Sequence, residues 1–252
     1  MRALRPWWKS LLARALSPLL ARVDVGLARY SDRIIANSGF TGSEVRRVYG
    51  VEPDGIARPG IDFANFSAEV GKKGPEIITV ARLTKFKRVD FLLEVFSEVL
   101  KVHPDLTFHI VGTGEEESSL KERAKNLNLG SRAVFHGTAD GPTLTALYRR
   151  SSLFLHGAVD EPFGMAPLEA IASGTPVVAH RSGGPREYVT EDCGRLISSL
   201  DVDEWSREVA AYLSLLFSGR SSAQQIRECA RRFDWRLSLQ PGIEVIAKLC
   251  AD

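Results

Sequence analysis

Two carboxylates, Glu161 and Glu169, lie eight positions apart in the segment DEPFGMAPLEAIASGTPVVAH, residues 160–180. Pro167 suits the first turn of a helix and Gly174 a helix stop. The segment therefore reads as a loop carrying Glu161, Phe163 and Gly164 that enters a helix near Met165. Such an entry exposes the N–H groups of residues 164–166, a natural seat for a phosphate. A carboxylate one turn further in can take two ribose hydroxyls, as acidic residues do in nucleotide-binding folds. Glu161, in the loop, can take sugar hydroxyls. For either glutamate alone a solvated surface position is the common outcome. Glu169, however, stands among Ala166, Leu168, Ala170, Ile171 and Ala172, where an idle carboxylate would be costly.

A second cluster, VARLTKFKRVD, places Arg82, Lys85, Lys87 and Arg88 in one short turn. Cations at the end of a strand can pair with a diphosphate, and arginine can do so bidentately; by itself the same pattern also describes a solvated basic turn. A third segment, VGTGEEE, carries Gly112 and Gly114, which permit a tight turn or a close backbone approach. It lacks the third glycine of a dinucleotide fingerprint. Glu115, Glu116 and Glu117 at a helix start would repel a phosphate, so this loop reads as a wall near a base or as a plain turn.

The elements that must position these residues alternate. Strands are expected at residues 76–81, 106–111, 133–136, 153–156, 176–179 and 195–197, with helices between them, among them 89–102 and 115–126. Helix 89–102 sets Phe91, Leu92, Val95, Phe96, Val99 and Leu100 on one stripe. Strand–helix alternation implies right-handed crossovers and a parallel sheet with helices on both faces. The fold class is therefore α/β, with residues 75–235 forming one Rossmann-like domain whose ligand lies at the carboxyl ends of the strands. Ahead of it, a short strand at 33–37, a helix at 41–49, a Pro/Gly hinge at 58–62 and a polar linker at 63–74 are expected.

Composition narrows the classes. The formal net charge of +2, from 33 Lys+Arg against 31 Asp+Glu, is too balanced for a nucleic-acid partner. Cys193, Cys229 and Cys250 are far apart and lack ligand spacing, which fits a reducing cytoplasm better than a disulfide framework. In residues 1–21 a signal-peptide pattern is broken by Arg14 and Pro18. Trp7 and Trp8 beside Arg2, Arg5 and Lys9 suit a membrane surface; an amphipathic helix packed on a domain is the plainer alternative.

Taken together, these segments resemble the retaining GT-B glycosyltransferases of family 4, the group 1 type. Glu161 and Glu169 match that family's E-x7-E element, and Arg82, Leu83 and Lys87 match its Gly-Arg-Leu…Lys-Gly element. PGID, Pro59–Asp62, matches its hinge. SDRIIANSGFTGSEV, residues 31–45, matches the segment closing its amino-terminal domain, and FDW, Phe233–Trp235, the approach to its last helix. The resemblance implies one half of a GT-B fold. It implies that Arg82 and Lys87 bind the donor diphosphate, Glu169 holds the ribose, and Glu161, Phe163, Gly164 and Met165 contact the transferred sugar. Gly137 and Thr138 would border the base. Arg82, Lys87 and Glu161 would act in catalysis, on a UDP-, GDP- or ADP-sugar donor and a glycan or lipid-linked acceptor, without cofactor or metal.

There are departures. Ala81 replaces the glycine before Arg82, and Arg88 the glycine after Lys87. Family members place roughly 150–200 residues before the hinge, a domain of ordinary size, whereas about sixty precede it here. Residues 1–62 are thus expected to be a remnant of the acceptor domain plus hinge, and 234–252 a crossover helix loosely held for want of a partner. Little transfer by the isolated chain follows. The alternative is a nucleotide-sugar-binding subunit, or an inactive remnant, that needs a separate acceptor-domain chain. The expected location is cytoplasmic, with peripheral contact at the inner face of the membrane left open. An unrelated dehydrogenase is disfavoured by the absence of G-x-G-x-x-G.

Overall fold

The computed structural model describes residues 22–66, 73–219 and 222–250. The expectations for residues 1–21 and for 67–72 of the linker lie outside them. A small front lobe comes first: residues 22–29 are helical, and β1 (Ile35–Ala36) and β2 (Gly55–Ile56) pair in parallel around α1 (Gly39–Tyr49). The strand expected at 33–37 is trimmed to two residues. Helix α1 starts earlier than expected because Ser38 caps it, its hydroxyl accepting from the Thr41 N–H at 2.9 Å.

The sheet lobe is a six-stranded sheet of β3 (Glu76–Val80), β4 (Thr107–Val111), β5 (Ala133–Gly137), β6 (Leu153–His156), β7 (Val177–His180) and β8 (Gly194–Ile197). Their order is β5-β4-β3-β6-β7-β8 and every pairing is parallel. Each strand end falls within one residue of expectation, since apolar runs buried on both faces leave little freedom. Helices α2 (Val89–Val99), α3 (Glu117–Asn126) and α6 (Val202–Phe217) cover one face, and α4 (Gly141–Arg150), α5 (Met165–Ala172) and α7 (Ala223–Glu228) the other. Helix α2 ends at Val99 rather than 102, with Pro104 close ahead. From β3 the chain builds outward to β4 and β5, and from β6 to β7 and β8 in the other direction. The topological switch therefore lies between β3 and β6, where such sheets bind ligands.

Two expectations are corrected. Residues 63–66 are no linker but a 3-10 turn, because Phe63 and Phe66 pack against the core; the Arg227 and Arg231 guanidinium groups lie 5.1 and 5.3 Å from the Phe63 ring centre. The carboxyl-terminal helices α8 (Trp235–Ser238) and α9 (Gln240–Leu249) are not loosely held on their inner side. A Cβ on Gly242 would stand 2.6 Å from the Ala57 Cβ, and one on Gly55 would stand 2.9 Å from Val245, so glycines let α9 press directly on the front lobe. Its outer side, with Ile243, Ile246 and Leu249, is exposed.

The hinge is pinned to the FDW segment. The Ile61 N–H donates to the Phe233 carbonyl at 2.9 Å and the Trp235 N–H to the Ile61 carbonyl at 3.0 Å. Only glycine fits at position 60, where a Cβ would meet the Trp235 Cα at 2.2 Å. Glu187 adds a clamp: its carboxylate accepts from the Gly39 N–H and from Arg58 Nε, both at 2.7 Å, tying the front lobe to the 3-10 turn Gly184–Glu187. Among the described residues, no helix is long and apolar enough to cross a membrane.

Candidate functional site

A cleft of about 840 Å³ opens at the switch point, with Asn37 and Pro59 of the front lobe forming part of its rim. From the β3 side come Arg82, Thr84 and Lys87. Arg82 is exposed and holds no ion pair among the described residues. The turn carrying these cations is braced by the loop after β4: the Leu83 N–H donates to the Thr113 carbonyl at 2.9 Å and the Glu116 N–H to the Leu83 carbonyl at 3.0 Å. Here Gly112 and Gly114 serve close approach, since a Cβ on either would stand 2.0 or 2.2 Å from the Ala81 or Leu83 carbonyl oxygen. Arg88, where the family places glycine, adopts the left-handed conformation with φ 50° and ψ 40°, which a side chain adopts at a cost.

From the β6 side come Glu161, Gly164, Met165 and Glu169. Glu161 is nearly buried and its carboxylate is ion-paired with the Lys87 ammonium, so the two motifs meet directly across the switch point. Gly164 opens α5 at φ 88°, and no side chain caps that end. The Tyr188 hydroxyl donates to the Gly164 carbonyl at 2.6 Å and lies 3.1 Å from that of Phe163. Glu169 is half-buried and accepts from the Tyr148 hydroxyl at 2.9 Å. Burial pushes its carboxyl pKa up, partly offset by that hydrogen bond. The helix end thus offers uncapped amides, and Glu169 a carboxylate with one oxygen held and the other available for hydroxyls.

Not every expected residue reaches the cleft by its side chain. The Phe163 ring is 2% exposed and packs on Tyr188 and Phe233 at 5.6 and 5.9 Å, leaving only its backbone to face a ligand. Gly137 and Thr138 stand outside the lining: β5 is the edge strand, two places from β3, and the Gly137 carbonyl accepts from the Gly112 N–H at 2.7 Å behind the cleft wall. His180 is held at its strand end by Ser182 and the Ser198 carbonyl, whereas His156 lines the cleft. Four supporting residues carry no clear signal in the sequence. Tyr148 and Tyr188 are isolated tyrosines with no spacing signal. Gly183 and Gly184, where a Cβ would meet the Glu161 carbonyl oxygen and the Phe163 Cα at 2.4 Å each, were visible only as a glycine pair. Among the described residues no cluster could hold a metal ion.

This sheet order, with cations after β3 and carboxylates after β6 meeting in one cleft beside a helix amino-terminus, defines a doubly wound domain with a charged cleft at its switch point. The chain belongs to the glycosyl transferases group 1 family, whose model matches residues 61–233. It is 28% identical over 236 residues to a D-inositol 3-phosphate glycosyltransferase of Segniliparus rotundus, covering 86% of this chain and 53% of that protein. It is 30% identical over 231 residues to a glycogen synthase of Mycobacterium tuberculosis, covering 88% and 55%. The chain thus spans about half the length of these curated relatives. The pneumococcal O-GlcNAc transferase GtfA, solved with UDP and GlcNAc, superposes with a TM-score of 0.77 at 26% identity, covering 91% of this chain and 47% of that one. The fold is accordingly one half of the GT-B architecture.

Proposed function

We propose that the chain is the donor-binding half of a glycosyltransferase that takes a sugar from a nucleoside diphosphate sugar and passes it, with retention of configuration, to a glycan or lipid-linked acceptor in the cytoplasm. The observation that carries this reading is the convergence of Arg82, Lys87 and Glu169 on one cleft at the switch point. Arg82, Lys87 and the amides opening α5 meet the diphosphate, and the same groups stabilise charge developing on the departing diphosphate. Glu169 takes ribose hydroxyls, and Glu161 hydroxyls of the transferred sugar. With two cations on the diphosphate, no divalent metal is required.

A second reading has a separate chain supplying the acceptor half. Its support is the apolar surface around the front lobe, where Leu27, Tyr30, Ile243 and Ile246 are all more than half exposed. Transfer needs an acceptor hydroxyl held in near-attack geometry and water kept out, both tasks of an opposite wall.

The test is a titration of UDP-, GDP- and ADP-sugars with magnesium and with a chelator. Binding should be indifferent to the chelator. Lys87→Ala and Glu169→Ala should each weaken it roughly 10- to 100-fold, the worth of one charge-assisted hydrogen bond. Unchanged affinity in both variants removes the site assignment. Robust transfer by the purified chain alone would sink the two-chain reading, whereas rescue by a separately expressed acceptor domain would support it.

A further inference from the structure

His156 closes β6 at the floor of the cleft, 5% exposed, stacked at 28° to Phe154 with ring centres 6.4 Å apart. Its Nε2 is buried and has no hydrogen-bond partner among the described residues; Glu161 Oε2 lies 3.5 Å away. A buried polar atom without a partner is a cost that packing alone does not explain. Burial and the neighbouring Lys87 charge push the imidazole pKa down to about 3, so it is neutral throughout the physiological range. With an anionic carboxylate facing Nε2, the tautomer protonated at that nitrogen is the favoured one.

Glu161 is held by Lys87, whose ammonium forms its ion pair. A diphosphate that draws on the Lys87 ammonium weakens its hold on that carboxylate. When a donor draws Lys87 toward its phosphates, Glu161, with a side chain only 12% exposed, loses its principal partner just as its other oxygen is needed for sugar hydroxyls. His156 is the group placed to replace it, since a carboxylate shift of about 0.5 Å brings the pair within hydrogen-bond reach.

We propose that His156 is the positioning residue for Glu161 in the donor complex, its Nε2–H taking over the carboxylate that Lys87 releases. This rests on the donor-site reading above. The free nucleoside diphosphate leaves the sugar subsite open, so water can solvate Glu161 there. The sugar nucleotide expels that water, and the imidazole then shares the carboxylate with the sugar hydroxyls, taking the position that Lys87 leaves. The effect of His156 is therefore confined to ligands that carry the sugar.

The experiment uses the sugar nucleotide that binds best among UDP-, GDP- and ADP-glucose, together with its free nucleoside diphosphate. His156→Phe keeps the ring and removes the N–H. It should weaken the sugar nucleotide about tenfold, the value of one hydrogen bond to a charged group, and change the free diphosphate less than twofold. His156→Gln, which returns an N–H donor near the Nε2 position, should recover most of the loss. Equal weakening of both ligands, or no change in either, overturns the proposal. Nitrogen-15 spectra of the wild-type imidazole give a measurement independent of variant folding: the Nε2–H proton should move downfield with the sugar nucleotide and not with the diphosphate, and an unmoved signal overturns the proposal. If the wild-type chain binds neither ligand, the donor-site reading itself fails and this inference falls with it, a result distinct from normal binding by His156→Phe.

Discussion

Trp205, in the sheet lobe, has no exposed surface and meets the Phe91 ring edge-on at 5.2 Å. Tyr30 and Leu27, in the front lobe, are 89% and 64% exposed. Both lobes contribute to the rim of one cleft, but the sheet lobe is carried by two apolar layers sandwiching its six strands, whereas the front lobe hangs on a two-stranded ribbon, the inner side of α9 and a few polar ties. One wall of the cleft is therefore set by core packing and the other by hydrogen bonds. The two should respond to different perturbations.

The largest effect is expected in the core. Trp205→Ala leaves a cavity between α2 and α6 and should cost about 3–5 kcal/mol, read as a lower denaturant midpoint. Leu27→Ala, by contrast, should stay within about 0.5 kcal/mol. Equal sensitivity at the two positions would break the contrast between the lobes.

Acid should act on the sheet lobe next most strongly. All five histidines lie between positions 103 and 180. Burial pushes His156 down to about 3 and His109 to about 4, the latter aided by the Arg150 charge. The unfolded chain protonates these groups near their ordinary value of about 6.5, while the folded lobe keeps them neutral. Their contribution is fully present above that value and is lost as pH falls from about 6.5 toward 4, by about 1.4 kcal/mol per pH unit for each group. Glu169 opposes this: its raised pKa favours the folded state as pH falls through the window between its raised and ordinary values. Denaturation midpoints of wild type and His109→Phe across pH 7.5 to 5 would separate the shares, with the variant expected to be less acid-sensitive.

Glu187→Gln tests the tie between the lobes. Losing the charge that serves the Gly39 N–H and Arg58 should cost about 1–2 kcal/mol, and hydrogen exchange should speed up in α1 while β3 and β6 stay protected. Uniform acceleration in both lobes would mean that they unfold as one unit. The smallest effect belongs to Arg88→Gly. It relieves a left-handed backbone worth about 1 kcal/mol and gives up stacking of the guanidinium 5.4 Å from the Phe91 ring centre, worth about 0.5 kcal/mol. A rise in thermal midpoint of a degree or two is expected, and a fall would show that the stacking outweighs the strain.

The sheet was legible because its strands are apolar on both faces and punctuated by glycine and proline, so the pattern of β3, β4, β6 and β7 has one outcome within a residue. Arg82, Lys87, Glu161 and Glu169 were legible for a related reason. The switch-point rule brings the ends of particular strands together; Arg82, Lys87 and Glu161 lie in the segments that directly follow such strands, and Glu169 lies in the helix that comes next. Phe163 was legible as part of the loop but not as a core ring, because nothing local distinguishes an aromatic facing a ligand from one facing Tyr188 and Phe233.

What the chain alone determined is the periodic part: the α/β class, the order of elements and the residues that must emerge at strand ends. Only the tertiary structure decided which of them touch. It set Lys87 on Glu161 and left His156 Nε2 beside them without a partner among the described residues. It placed Gly137 behind the cleft wall, and closed the hinge through Gly60 against Trp235, 175 positions away along the sequence. The physical reason is one of range. Periodicity and turn chemistry act over a few residues and leave a trace in each segment, whereas a contact across the sheet depends on backbone distances of a few ångströms between segments far apart in the chain, which no single segment encodes.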